Sequence, residues 1–128
     1  MRSKSAAIVS TFEDIWLLDG VRTPFAEFTG VLGLVSPIDM GIKAAREVFK
    51  RSKVNPEDVG HVFTGSMAQA SYDAYVLPRH VGLYSGVPKD VPATLAQRVC
   101  GTGIELIIQA ADAVSLGRDD LALGVVTE

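Results

Sequence analysis

The chain has 128 residues, of which 48% are hydrophobic and 21% charged, and 12 basic against 15 acidic residues give a net charge of -3. Its basic residues are scattered, which excludes a nucleic-acid-binding footprint, and its single cysteine excludes an internal disulfide and a cysteine-based zinc site. No apolar run approaches the ~20 residues that span a bilayer. We therefore expect a cytoplasmic protein with no bound metal, nucleic-acid partner or membrane span.

The first half of the chain alternates between apolar runs and turn residues. Residues 1–13 are interpreted as a leader. Their apolar stretch is too short for a secretory signal. The apolar run within 13–18 predicts a first strand, and the glycine-containing stretch 25–37 predicts a loop. Asp39 is a suitable N-cap for a helix over 40–51, in which apolar and charged side chains occupy different faces.

The second half continues the alternation of short strands and helices. Strands are predicted over 62–65, 91–95 and 121–126, the last as a buried strand because its apolar run is continuous. Helices are predicted over 75–85 and 104–116. The second of these helices is apolar nearly all round, which predicts burial on several sides. Strands that alternate with helices in this way indicate an α/β layer structure.

Cys100 lies in the stretch 97–104 (QRVCGTGI), between a predicted strand and a predicted helix. The partial positive charge and free N–H groups of a helix N-terminus favour a thiolate, which is the reactive form of cysteine. Gly101 and Gly103 remove side chains beside the sulfur, so the backbone can bend sharply and a substrate can approach. These features point to a nucleophile. The alternative is a buried structural cysteine, because unpaired cysteines commonly behave as small hydrophobic residues.

The stretch around Cys100 resembles the nucleophile motif of the thiolase family, in which a cysteine followed by Gly-Ser-Gly or a close variant opens a buried helix. The similarity extends over residues 14–128, which we interpret as a partial thiolase N-terminal domain. Gln97 stands where many thiolases have asparagine and Thr102 where serine is usual, and both keep hydrogen-bonding capacity. The other segments that resemble thiolases, in the same order along the chain, are 19–25 (DGVRTPF), 58–65 (DVGHVFTG), 79–83 (RHVGL), 86–88 (GVP) and 91–93 (VPA).

This resemblance implies a thiolase-like layered α-β-α fold with a mixed sheet, of which the chain holds an incomplete N-terminal domain. It also implies an acyltransferase that acts on acyl-CoA or 3-ketoacyl-CoA thioesters, with Cys100 as the residue that accepts the acyl group. No cofactor would be bound permanently, and a coenzyme A thioester would be the substrate. N–H groups at the start of the helix, including that of Cys100, could hold the developing oxyanion. Acyl chain length and the direction of the reaction stay open.

The reaction of the family also uses a histidine in a Gly-His-Pro motif and a second cysteine in a Cys-x-Gly motif, and neither motif occurs in this sequence. His61 and His80 lie in other contexts and are interpreted as ordinary structural or surface residues. We therefore expect the isolated chain to be inactive and the fold to be completed in a homo-oligomer or by a second chain. The alternatives are a non-catalytic, thiolase-derived structural or interaction subunit and a truncated fragment of a longer parent.

Overall fold

The computed structural model describes residues 9–128, which form a three-stranded sheet and three α-helices. Short 3₁₀ turns at Pro56–Asp58 and Ala74–Val76 precede the first strand and the second helix. No helix within the described range has the length and apolar character needed to cross a bilayer. In chain order the elements are α1 (Pro37–Ser52), β1 (His61–Gly65), α2 (Leu77–Tyr84), β2 (Ala93–Ala96), α3 (Thr102–Ser115) and β3 (Ala122–Val126).

The sheet has β1 at its centre, between β2 and β3. Val62 of β1 lies opposite Ala93 on one side and Leu123 on the other, and both strand pairs are parallel. We expected a mixed sheet, but the strands within residues 9–128 all run in the same direction. Each connection passes through a helix, α2 or α3, which is the usual way to return the chain to a parallel neighbour.

Helices cover both faces of this sheet, so the predicted α/β layer structure is confirmed. Side chains alternate between the two faces along each strand, which gives each face its own apolar cluster. α1 and α2 pack on the face that carries Val62, whereas α3 packs on the face that carries Phe63. The fully buried residues of the first cluster include Ile38, Ala45, Phe49, Val59, Leu77, Val81, Leu123 and Val125, and those of the second are Phe63, Leu106 and Ala113.

Most predicted elements correspond to observed ones. The strands expected over 62–65, 91–95 and 121–126 are β1, β2 and β3, and the helix expected over 104–116 is α3. The helix expected over 75–85 is α2, preceded by a 3₁₀ turn. Local apolar periodicity and turn residues are therefore sufficient to find these elements, although the ends move by a few residues.

The start of α1 corrects one prediction. Its N-cap is Ser36, whose Oγ accepts the N–H of Asp39 at 3.1 Å, and Pro37 occupies the first helical position. Proline suits that position because its fixed φ is helical and its missing N–H would have no partner there. Asp39 therefore lies inside the first turn rather than at the cap, where its negative charge favours the helix dipole. At the other end, Lys53 adopts a left-handed φ of 60° and stops the helix.

The predicted first strand over 13–18 is absent. Trp16 and Leu17 are each 80% exposed, and no backbone hydrogen bond among the described residues joins this segment to the sheet. The segment and β3 instead line a common groove of about 1030 Å³. A strand exists only through backbone pairing, and this apolar run makes no such pairs, so it is irregular. Of the predicted leader, residues 1–8 lie outside the described part of the chain, and 9–13 form no helix or strand.

The expected burial of α3 and β3 on several sides is also corrected. In β3, Leu123 and Val125 are buried, whereas Gly124 and Val126 face outward. In α3, the side of the helix that faces β1 and β3 is buried, but Ile104 is 66% exposed. Both elements therefore carry more apolar side chains than the described residues bury, and one face of each is exposed to solvent.

Candidate functional site

The carboxyl ends of the three strands meet at one edge of the sheet, because the strands run parallel. β1 ends at Gly65, β2 at Ala96 and β3 at Val126. In parallel α/β sheets, ligands bind at this edge, where the loops that follow the strands come together. Cys100 follows the end of β2 and lies beside Val126, so the predicted nucleophile belongs to this edge.

A tight turn carries the chain from β2 through Cys100 to α3. The N–H of Gly101 donates to the carbonyl oxygen of Arg98 over 2.9 Å, which makes Val99 and Cys100 the two central residues of the turn. Val99 has a left-handed φ of 50°. Positive φ at the first central residue is the pattern of a type II′ turn, in which glycine is usual. A β-branched residue in this conformation is strained, and strain of about 1–3 kcal/mol is typically stored at functional sites.

The side chain of Thr102, only 2% exposed, ties this turn to the start of α3. Its Oγ1 donates to the carbonyl oxygen of Val99 over 2.6 Å and accepts the N–H of Arg98 at 2.9 Å. Its methyl group lies against Gly65, so closely that a Cβ on that glycine would overlap Thr102 Cγ2 and lie 2.9 Å from the carbonyl oxygen of Ala96. The missing side chain at Gly65 therefore makes the room that Thr102 occupies.

Cys100 is exposed at an apolar hollow of about 390 Å³ between the start of α3 and β3. Within the described residues, Cys100 is therefore not packed as a small hydrophobic residue. α3 begins directly after its N-cap, Gly101, which has no side chain to cap the helix. The N–H of Thr102 donates to the carbonyl oxygen of Val99, whereas those of Gly103 and Ile104 have no backbone acceptor among the described residues and lie at the positive end of the helix dipole. The hollow is lined by Cys100, Gly103, Ile104, Leu106, Ile107, Gly124 and Val126.

One ion pair lies beside the turn. The Nε of Arg98 is 3.6 Å from Oε2 of Glu105, which occupies the first turn of α3. The Arg98 side chain is 62% exposed, so water screens the pair and its contribution to stability is small. The side chains that line the hollow are apolar, apart from the thiol of Cys100. This lining suits the approach of an uncharged group.

The loop over 66–69, which follows β1, is held by residues that follow the other two strands. The carboxylate of Glu128 accepts the N–H groups of Met67 at 2.6 Å and Ala68 at 2.8 Å, and the Oγ of Ser66 donates to it over 3.2 Å. Gln97 donates its Nε2 to the carbonyl oxygen of Met67 over 2.8 Å. Hydrogen bonds to a carboxylate are stronger than neutral ones. The segments that follow all three strands thus form one framework.

We expect Glu128→Ala to loosen this loop selectively. Loss of the carboxylate leaves two backbone N–H groups without their acceptor, so hydrogen exchange at Met67 and Ala68 should accelerate about tenfold. Hydrogen exchange followed by mass spectrometry measures the effect. Asp112→Ala is the matched control, since that carboxylate is exposed on α3. Equal exchange at Met67 in both variants would contradict the role given to Glu128.

The two histidines lie away from the hollow beside Cys100. His61 opens β1 at the opposite edge of the sheet, where its Nε2 lies 2.8 Å from Thr94 Oγ1 and its Nδ1 lies 3.5 Å from Asp119 Oδ2. His80 lies on α2. Their predicted structural or surface character agrees with these positions. Within residues 9–128, no group of three or more histidine, cysteine, aspartate or glutamate side chains is arranged to hold a metal ion.

A family model described as "Thiolase, N-terminal domain" matches residues 15–128. The chain belongs to the thiolase family. Mitochondrial 3-ketoacyl-CoA thiolase from Bos taurus is 36% identical over 114 residues, which are 89% of this chain and 29% of that protein. The beta-ketothiolase BktB of Cupriavidus necator is 35% identical over 111 residues, or 87% of this chain and 28% of that protein. This chain therefore spans less than a third of the length of these thiolases.

Solved thiolase structures have the same fold. Human mitochondrial 3-ketoacyl-CoA thiolase in complex with CoA superimposes with a TM-score of 0.75 and 37% identity, over 77% of this chain and 25% of that one. The Ascaris suum thiolase in complex with coenzyme A gives a TM-score of 0.79 and 28% identity, over 84% of this chain and 28% of that one. The predicted thiolase-like layered fold is thereby confirmed for the part of the domain that this chain contains.

Sequence reasoning found Cys100 but not the residues that hold the edge around it. Glu128 and Ser66 are far apart in the sequence, so no local pattern predicts their contact. Thr102 gave a usable signal, because threonine often bonds its hydroxyl to backbone groups a few residues away. Gly65 is the last residue of a strand and precedes a loop, and this position does not distinguish a turn glycine from one that makes room for a neighbour.

Proposed function

We propose that this chain supplies the nucleophile of a thiolase-type acyltransferase that acts on acyl-CoA or 3-ketoacyl-CoA thioesters. The observation that carries the proposal is the exposure of Cys100 on a strained turn at the carboxyl edge of the sheet. Relatives named 3-ketoacyl-CoA thiolase and acetyl-CoA acetyltransferase support the substrate class. A related structure solved with CoA supports a thioester of this carrier as the substrate.

In the proposed first step, the Sγ of Cys100 attacks the carbonyl carbon of the thioester. A bond forms between this carbon and Sγ as the thiol gives up its proton, the bond to the CoA sulfur breaks, and CoA leaves with the electron pair of that bond and takes up a proton, so that no net proton is gained or lost. One thioester replaces another, so the acyl group stays activated for transfer. The N–H groups of Gly103 and Ile104 in the first turn of α3, together with that of Cys100, are the available donors to the negative charge that develops on the carbonyl oxygen.

Other polypeptide has to complete this site. The chain has one cysteine, so the second cysteine that the family resemblance implies has to come from elsewhere. Ile104 and Val126 line the hollow and are 66% and 50% exposed, which supports a covering segment or partner. We propose that a second chain, a homo-oligomer or the remainder of a longer polypeptide supplies the covering segment. The same exposed side chains would fit the second candidate, a non-catalytic interaction subunit that keeps the thiolase fold.

Acyl labelling of the assembly purified from its native source tests this function. Intact masses under native and then denaturing conditions identify the chains that accompany the 13.6 kDa chain or a longer polypeptide that contains it. After incubation with acetyl-CoA and acid quenching, peptide mapping should find an acetyl thioester on Cys100, which neutral hydroxylamine removes. If the assembly consumes acetyl-CoA and this peptide stays unlabelled, Cys100 is not the acceptor. If it neither consumes acetyl-CoA nor becomes labelled, the non-catalytic subunit is favoured.

A further inference from the structure

We propose that Thr102 is a positioning residue for Cys100, an inference that rests on the proposed acyl-accepting role of that cysteine. Thr102 does not line the hollow beside the thiol. It acts through the turn, because its hydroxyl accepts the N–H of Arg98 and donates to the carbonyl oxygen of Val99. Its function is to hold the backbone of Val99 in a conformation that the residue would otherwise leave, and thereby to fix where the Cys100 thiol and N–H point.

The first step of this inference concerns Val99. Its φ of 50° is disfavoured for a β-branched residue, and its side chain is 54% exposed, so packing does little to compensate. Hydrogen bonds have to maintain the conformation instead. The N–H of Thr102 donates to the carbonyl oxygen of Val99 over 3.1 Å, and the Thr102 hydroxyl donates to the same oxygen over 2.6 Å. The hydroxyl contact is the shorter of the two.

The second step concerns the N–H of Arg98. This group donates to Thr102 Oγ1 over 2.9 Å, so one hydroxyl serves as acceptor before Val99 and as donor after it. The peptide groups 97–98 and 99–100 are thereby bound to a single buried atom, and the carbonyl oxygen of Arg98, in the peptide group between them, accepts the N–H of Gly101. Rotation of Val99 toward a negative φ moves these peptide groups relative to one another, so it breaks one of the hydrogen bonds and leaves a partly buried polar group unpaired, which is costly.

The third step explains why the residue is threonine. A serine hydroxyl at this position would have three staggered rotamers, whereas the methyl group of Thr102 restricts the side chain. That methyl lies in the space left by the absent side chain of Gly65, which fixes the rotamer and directs the hydroxyl at the turn. Gly65 therefore belongs to the same device, since it receives the group that orients Thr102.

The decisive experiment compares Thr102→Val with Thr102→Ser in the native assembly, through the rate at which iodoacetamide alkylates Cys100 across neutral and alkaline pH. Thr102→Val keeps the shape and removes the hydroxyl, and we expect alkylation at neutral pH to slow about tenfold. Thr102→Ser keeps the hydroxyl and should retain most of the rate. Thr64→Val is the matched control, because that buried hydroxyl has no hydrogen-bond partner within the described residues.

A rescue variant separates positioning from general stability. Val99→Gly removes the penalty for positive φ, so the pair Val99→Gly with Thr102→Val should recover much of the alkylation rate lost in Thr102→Val. An unchanged alkylation rate in Thr102→Val overturns the positioning role. Failure of the double variant to recover the lost rate overturns it as well. If Thr102→Val unfolds by circular dichroism, the pair decides alone: a folded, reactive pair supports the role, and an unfolded or unreactive one contradicts it.

Alkylation does not require acyl transfer, so the two proposals fail separately. Slow alkylation of Thr102→Val in an assembly that never forms an acetyl thioester supports Thr102 and contradicts the acyl-accepting role of Cys100. An acetyl thioester on Cys100, combined with equal alkylation rates in Thr102→Val and the Thr64→Val control, supports the proposed function and contradicts the positioning role.

Discussion

Cys100→Ser is expected to abolish acyl labelling of the assembly. The substitution replaces sulfur by oxygen at nearly constant shape, but a serine hydroxyl stays protonated at neutral pH and needs a strong base to act as a nucleophile. We expect labelling from acetyl-CoA to fall on the order of 10³-fold or more, which is typical for loss of a nucleophile. Peptide mass spectrometry after acid quenching measures the label, and a labelled acyl adduct that persists would remove Cys100 from the reaction.

The fold should tolerate this change. Cys100 is exposed, so the free energy of unfolding should differ from the unsubstituted protein by no more than about 0.5 kcal/mol. Because the chain has no other cysteine, Cys100→Ser also gives a clean blank for iodoacetamide on this chain. Ser115→Ala, at an exposed position near the end of α3, is the control that should keep both labelling and alkylation.

Gly65→Ala should be the most destabilising single-methyl change at the site. The added Cβ would overlap Thr102 Cγ2, and it would lie 2.9 Å from the carbonyl oxygen of Ala96 and 3.3 Å from Leu106 Cδ1. The added methyl group would meet backbone on one side and buried side chains on the other, so the surrounding structure cannot easily shift to accommodate it. We expect a loss of about 3 kcal/mol in the free energy of unfolding, measured by urea denaturation, which is large for overpacking.

Two variants test the cause of that loss. Gly124→Ala adds the same methyl on β3 where nothing lies within 4 Å, and it should be neutral or slightly stabilising. Thr102→Ser in the Gly65→Ala background removes the overlapping methyl group and should recover part of the stability, because the contact with Ala96 remains. An equal cost for Gly65→Ala and Gly124→Ala would show that the loss reflects the strand backbone and not the contact with Thr102.

Elements that depend on local sequence patterns were predicted from the sequence. Features that depend on contacts with residues far away in the chain were not. Helix and strand periodicity located α1, α2, α3 and the three strands, since each buries one face against its neighbours. The run over 13–18 has the composition of a strand, but a strand forms only where its backbone pairs with a neighbour, and composition does not show that pairing. Asp39 and Ser36 are both good caps, and the choice depended on Pro37, which favours the first helical position.

The same distinction applies to the site. Cys100 could be predicted because its flanking glycines and its place between a strand and a helix are visible in the sequence. Its exposure, and the strained φ of Val99 before it, could not be predicted, since valine is normally read as a residue of extended backbone. The clamp of Glu128 on the loop after β1 joins residues about sixty positions apart, and only the parallel sheet brings them together.

The contact between Glu128 and Met67 has a consequence for folding kinetics. Parallel pairing closes long loops before its contacts form, so this edge has a high local contact order and should be among the later parts to assemble. During synthesis, the loop after β1 cannot reach its final form until β3 has left the ribosome. Protection of the Met67 amide from hydrogen exchange therefore reports when β3 has docked. This measurement does not require an activity assay.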